Sequence, residues 1–155
     1  MITAYYGNGQ GKSSAALGYA VREAGNGKTA CIITFLKAEV NYEFLKRLEP
    51  EIKIFRFERS KRNFNDLTPE ERDEEKANLK NGLNYARKVL GAGQYDLLVL
   101  DEVLGAINEG MVSEDELKDV LKLCRPSMEI ILTGGVLTAG ISEFCDKVID
   151  IKAEK

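Results

Sequence analysis

Histidine and tryptophan are both absent from this 155-residue chain. Without an imidazole there is no His-based catalytic triad, no HExxH zinc site and no ordinary general base for neutral pH. Chemistry here must run on carboxylates, lysine, hydroxyls, backbone N–H groups and a bound metal. Cysteine is scarce: Cys31, Cys124 and Cys145 are an odd number with no CxxC pair, which argues against a disulfide framework. Their apolar neighbours predict buried, reduced thiols. No apolar run approaches the ~20 residues that cross a bilayer. The opening residues also lack the basic-then-apolar pattern of a signal peptide, so a soluble cytoplasmic protein is expected. With a net charge of −3 and no basic tract, nucleic acid is not an expected partner, although a local pocket for phosphates remains open.

The hydrophobic residues, 44% of the chain, are arranged in alternating short strands and helices. Residues 2–6 are a β-prone run ending at a Gly-rich turn. Residues 13–24 follow with Leu17, Ala20, Val21 and Ala24 at the spacing of one helix face, and Gly25 and Gly27 supply a stop. Residues 29–36 are uniformly apolar and β-branched, the mark of a strand buried on both faces. A short helix over 40–48 and a strand over 52–57 come next. Thr68-Pro69-Glu70-Glu71 has the form of a capping box with proline in the first turn, opening a helix whose buried stripe is Leu79, Leu83, Ala86 and Leu90 and which Gly91 and Gly93 end. Strand 97–100, a helix from Ser113 to about Cys124, strand 128–132, a short helix over 138–145 and strand 148–151 complete the series. This alternation predicts one α/β domain over residues 1–155, a mainly parallel sheet with helices on both faces; the loop that follows the first strand narrows this to a P-loop NTPase-type (RecA-like) sheet if it binds phosphate. Ligands of such sheets bind beyond the carboxyl ends of the strands.

Between the first strand and the first helix stand Gly7, Asn8, Gly9, Gln10, Gly11, Lys12, Ser13 and Ser14. Glycines let consecutive N–H groups turn inward as an anion nest, and the helix that follows adds unpaired N–H donors and its positive dipole end. That context predicts a phosphate-binding loop for ATP, with Lys12 reaching two phosphates and the Ser13 hydroxyl on Mg²⁺. The spacing is one residue shorter than usual: Gly7 and Gly11 enclose three residues, and Tyr6 stands where a first glycine is common.

A second feature is the apolar run Leu97-Leu98-Val99-Leu100 ending in Asp101-Glu102. Carboxylates at a buried strand end are costly without a cation nearby, and Mg²⁺ on a triphosphate would supply one. Asp101 is then expected on the metal, directly or through water, with Glu102 either supporting the metal or polarising a water. The basic cluster Arg56, Arg59, Lys61 and Arg62 reads as a solvated loop or as part of a pocket for an acidic ligand. No Asn-Lys-x-Asp occurs, so guanine selectivity is unsupported, and the three scattered cysteines cannot build a zinc lobe.

The short loop Gly-Asn-Gly-Gln-Gly-Lys-Ser-Ser resembles that of the ATP:corrinoid adenosyltransferases. The resemblance continues at Phe35-Leu36-Lys37, is strongest over Asp101-Glu102-Val103-Leu104-Gly105-Ala106-Ile107-Asn108-Glu109-Gly110, and recurs at Glu129-Ile130-Ile131-Leu132-Thr133-Gly134. It implies that a Co(I) corrinoid, cobalamin or a precursor, attacks the 5′ carbon of ATP and releases triphosphate. Lys12 and Glu102 would then be catalytic, and an aromatic side chain would keep the lower cobalt face free of its ligand. Phe64 is the first candidate for that aromatic and Phe57 the second, packing alone being the other reading of both. The resemblance further implies a homodimer and a flavoprotein reductant. Three features depart from the family: its additional N-terminal segment, the arginine where Gly135 stands, and its Lys-His-Pro-Phe stretch. An ATPase or kinase, or a non-catalytic ATP-dependent switch, is the alternative reading of the phosphate loop.

Overall fold

A computed structural model describes residues 1–36 and 41–155. Its centre is a six-stranded sheet built from β1 (Ile2–Tyr6), β2 (Ala30–Thr34), β3 (Ile52–Arg56), β4 (Leu97–Asp101), β5 (Glu129–Gly134) and β6 (Lys147–Asp150). The order is β3-β2-β4-β5-β1-β6 and every neighbouring pair is parallel. Every residue of β2 and β4 is buried, as expected for apolar runs inside a parallel sheet covered on both faces.

Side-chain alternation divides the core in two. Ile32, Val99 and Ile131 pack under α1 (Lys12–Gly25) with Ala16 and Ala20. Cys31, Ile33, Leu98, Leu100 and Ile130 face the other way, against α3 (Pro69–Ala92), α4 (Val103–Asn108), α5 (Glu114–Leu121) and α6 (Ala139–Ser142). Helices therefore cover both faces, as the sequence predicts. Strand β3 serves both cores, with Ile52 and Ile54 toward α1 and Phe55, followed by Phe57 just past the strand, toward α3.

The local signals hold best where they rest on capping chemistry. Thr68 accepts the Glu71 N–H at 3.2 Å while Glu71 accepts the Thr68 N–H at 2.8 Å, and Ser113 and Glu116 repeat the exchange at the start of α5. Several boundaries differ from expectation. The buried stripe of α1 is Ala16, Ala20 and Glu23, leaving Val21 exposed, because two small alanines let the helix lie close to the sheet. Gly91 lies inside α3, which ends instead at Gly93 in the left-handed region (φ 63°). Helix α5 stops at Leu121, short of Cys124. Helix α4 has no counterpart in the sequence reading. Val40, at the head of the expected helix over 40–48, lies outside the described residues; α2 (Tyr42–Leu45) and a 3₁₀ turn (Lys46–Leu48) occupy the rest.

All three cysteines are free, but only Cys31 is buried; Cys124 and Cys145 are half-buried. Burial pushes the Cys31 thiol up to about 12. Among the described residues, no helix is long and apolar enough to cross a membrane.

Candidate functional site

The loop from β1 into α1 turns on Gly7 (φ 116°) and Gly11 (φ 99°), both in the left-handed region that favours glycine. Gly11 caps α1, whose first intrahelical bond runs from the Ala15 N–H to the Gly11 carbonyl at 2.7 Å. The N–H groups of Gly11, Lys12, Ser13 and Ser14 therefore have no partner within the helix and form its positive end. Gly7 and Gly9 differ. The Gly7 N–H donates to the Gly135 carbonyl at 3.1 Å and the Gly9 N–H to the Ile151 carbonyl at 2.8 Å, so both amides are engaged within the protein. The half-buried Lys12 folds back over the loop, its Nζ donating to the Gly7 carbonyl at 2.9 Å and the Gly9 carbonyl at 2.6 Å. An ammonium is thus held against the loop by two of its carbonyls.

Asp101 ends β4 and is 7% exposed. Its Oδ1 accepts the Thr133 hydroxyl at 2.7 Å, and Thr133 Oγ1 in turn accepts the Glu102 N–H at 2.8 Å. Thr133 is fully buried on β5, the strand lying between β4 and β1, so one hydroxyl ties the acidic pair to the middle of the site. Thr133 falls in the segment 129–134 that carries the family resemblance, but nothing in the sequence assigns its hydroxyl to the acidic pair. Glu102 adopts φ 58° and opens α4. Burial raises its carboxyl above the ordinary value of 4.5, Asp101 raises it further, Lys12 opposes and Glu109 adds to the rise. Close packing of α4 on β5 requires Gly134: a Cβ there would lie 2.5 Å from the Leu104 Cβ and 2.8 Å from the Gly105 N.

Two cavities meet at Ser13. The smaller, about 100 Å³, is lined by Ser14, Thr34, Tyr42, Leu45 and Asp101 among others. The larger, about 590 Å³ and open to solvent, is lined by Ser13, Glu102, Arg62, Asn63 and Phe64 among others. Ser13, Asp101 and Glu102 offer hard oxygen donors suited to a divalent cation. Among the described residues no three acidic or cysteine side chains enclose a metal, so a cation would take its remaining ligands from phosphate or water.

Phe64 starts a 3₁₀ turn (Phe64–Asp66) and is held from α3: Arg72 Nε donates to the Phe64 carbonyl at 3.2 Å, and the Arg72 guanidinium lies 5.6 Å from the ring centroid. Phe57, the second aromatic candidate, faces elsewhere; its ring lies 5.8 Å from Tyr85 and about where a Cβ on Gly82 would touch it. The basic cluster disperses. Arg62 lines the larger cavity and pairs with Glu71, whereas Arg56 lies 3.9 Å from Glu58. Lys37 lies outside the described residues.

Sequence reasoning missed Glu75. It is 4% exposed on α3 and accepts the N–H groups of Arg59 and Ser60, each at 2.9 Å, shaping the loop that carries Phe64. Its signal was present: Glu75 is a charged residue four positions before Leu79, on the stripe that continues through Leu83, Ala86 and Leu90.

The family model described as ATP:corrinoid adenosyltransferase BtuR/CobO/CobP matches residues 1–155. A corrinoid adenosyltransferase of Escherichia coli strain K12 is 26% identical over 155 residues, covering 100% of this chain and 78% of the relative. One from Pseudomonas aeruginosa is 26% identical over 159 residues, covering 100% and 76%. Among solved structures, a KaiC-like protein from Pyrococcus horikoshii OT3 superposes with a TM-score of 0.64 over 99% of this chain and 73% of that one, at 19% identity. That likeness concerns the fold alone, a RecA-like P-loop NTPase sheet. Since the match runs along its whole length, this chain belongs to the ATP:corrinoid adenosyltransferase family.

Proposed function

We propose that this chain, folding as one domain, transfers the 5′-deoxyadenosyl group of ATP to a Co(I) corrinoid and releases triphosphate. The observation that carries this reading is a site free of imidazole joined to an open cavity of about 590 Å³ that Ser13, Glu102 and Phe64 all line. Adenosyl transfer needs no protein nucleophile and no general base. The cobalt supplies the electron pair for the new Co–C5′ bond and is oxidised from Co(I) to Co(III). The C5′–O bond breaks, and its electrons leave with the triphosphate. The protein's work is to orient two substrates and to stabilise charge on the leaving oxygen.

The residues divide that work. The amides of Gly11, Lys12, Ser13 and Ser14 hold the phosphate chain, and the Lys12 ammonium already lies against the loop. Ser13, Asp101 and Glu102 would supply oxygen donors for Mg²⁺, and Asp101 Oδ1 is already engaged by the Thr133 hydroxyl. When bound, that ion would offset charge on the triphosphate. Phe64 borders the space where the corrin face would stand. A flavoprotein reductant and a homodimeric assembly are further expectations of the same reading.

A second reading, ATP hydrolysis or phosphoryl transfer, is favoured by Glu102, whose carboxyl is raised above its ordinary value by burial and Asp101. One experiment separates the two. Incubation with ATP, Mg²⁺ and chemically reduced cobalamin should yield a light-sensitive alkylcobalamin and one equivalent of triphosphate. ADP and orthophosphate formed without corrinoid would instead establish the second reading.

A further inference from the structure

We propose that residues 151–153 form a strap that positions the phosphate loop, and that Asn8 serves this strap rather than the nucleotide. The proposal rests on reading the loop as the ATP site. Strand β6 runs beside β1 with Tyr6 opposite Asp150, and the chain then continues past the sheet along the loop. The Ile151 N–H donates to the Tyr6 carbonyl at 2.7 Å, the Gly9 N–H to the Ile151 carbonyl at 2.8 Å, and the Ala153 N–H to Asn8 Oδ1 at 3.2 Å. Three bonds lace one segment to the other.

The glycines give an independent argument. Gly11 sits at φ 99°, and a Cβ placed on it would meet nothing within 4 Å, so backbone conformation alone demands glycine there. Gly9 is the reverse: it is not among the residues with positive φ, yet its Cβ would lie 2.8 Å from the Ile151 oxygen and 2.9 Å from the Lys152 carbonyl carbon. Both are backbone atoms that cannot swing aside. Position 9 is therefore glycine because the strap approaches it, not because a phosphate does.

The strap reaches the chemistry through a short route. Ile151 holds the Gly9 amide, and the Gly9 carbonyl accepts the Lys12 ammonium at 2.6 Å. A displaced strap would move Gly9, and Gly9 would release the ammonium. The Gly7 and Gly9 amides, bonded to Gly135 and Ile151, are thereby withdrawn from the anion nest.

The test is a double-mutant cycle on the full chain, read by calorimetric titration with ATP and Mg²⁺. Asn8→Ala removes the acceptor and Ala153→Pro removes the donor N–H. Each should weaken ATP binding roughly three- to ten-fold, the scale of one hydrogen bond, and the double variant should be no weaker than either single one. The KM for corrinoid should stay within twofold of wild type, which general loosening of the fold would not allow. Should Ala153→Pro fail to fold, deletion of residues 153–155 removes the same donor. Weakening in Asn8→Ala with full affinity in the partner variants would mean that Asn8 touches the nucleotide, and the proposal falls. Additive losses would also overturn it. A wild-type chain that binds no ATP would overturn the phosphate-loop reading and the strap together, a result distinct from either.

Discussion

Glu102 carries two costs. Its φ of 58° is a conformation that a long L side chain seldom adopts, and its carboxyl is partly withdrawn from water beside Asp101. Its backbone is held there by the bond from its N–H to Thr133. The electrostatic cost has a defined sign. A carboxyl raised in the folded state binds protons more tightly there than in the unfolded chain, so its contribution is fully present below the ordinary value of 4.5 and is lost as pH rises through the folded value. In metal-free buffer, Glu102→Gln should therefore melt higher than wild type at pH 8 and coincide with it near pH 4. Melting curves across that range check it; a variant less stable at pH 8 would mean that the carboxylate gains more from Lys12 than it loses to burial and Asp101. The pair Asp101-Glu102 was legible because charge ending an apolar strand is anomalous. Thr133, which holds both residues, was not, since a threonine inside β5 breaks no local pattern.

At the scale of elements, α3 organises the far wall of the larger cavity. Arg72 Nη2 donates to the Asn65 carbonyl at 2.7 Å, and Glu75, one turn on, takes the amides of Arg59 and Ser60. The stretch 59–66, whose basic cluster reads as a solvated loop in the sequence, takes its order from partners up to 16 positions away, where no periodicity records it. Helix α3 itself was legible at its start, where Thr68 and Glu71 form a local motif. Removing the buried acceptor should let the loop drift and carry Phe64 with it. Glu75→Ala is thus expected to raise the KM for corrinoid by about tenfold, the worth of two amide bonds to a carboxylate shared with loop ordering, while the KM for ATP moves less than twofold. Phe64→Ala should add little on top of Glu75→Ala, since both act through one contact. Equal shifts in both KM values would reduce Glu75 to a general stabiliser.

The order β3-β2-β4-β5-β1-β6 belongs to the molecule as a whole. Alternating strands and helices predicted a parallel sheet but not which strands are neighbours, because strand order is decided by which faces bury against one another. Strand β5 separates the Gly-rich loop after β1 from Asp101 on β4, so on the proposed function a triphosphate and its cation would bridge the tip of an intervening strand. A ligand that joins three strands stabilises the sheet as a unit, by about 2.7 kcal/mol when present at 100 times its Kd. For a chain of this length that corresponds to a rise in Tm of roughly 5–11 °C. With EDTA in place of Mg²⁺, Asp101 and Glu102 would face the triphosphate with no cation between them, and the rise should fall by more than half. Asp101→Asn, by lowering that repulsion, should make the shift with ATP alone approach the shift with MgATP. Thermal melts of both chains, with and without EDTA, decide the matter. An equal shift in wild type under both conditions would take the metal away from the acidic strand end while leaving the phosphate loop its ligand.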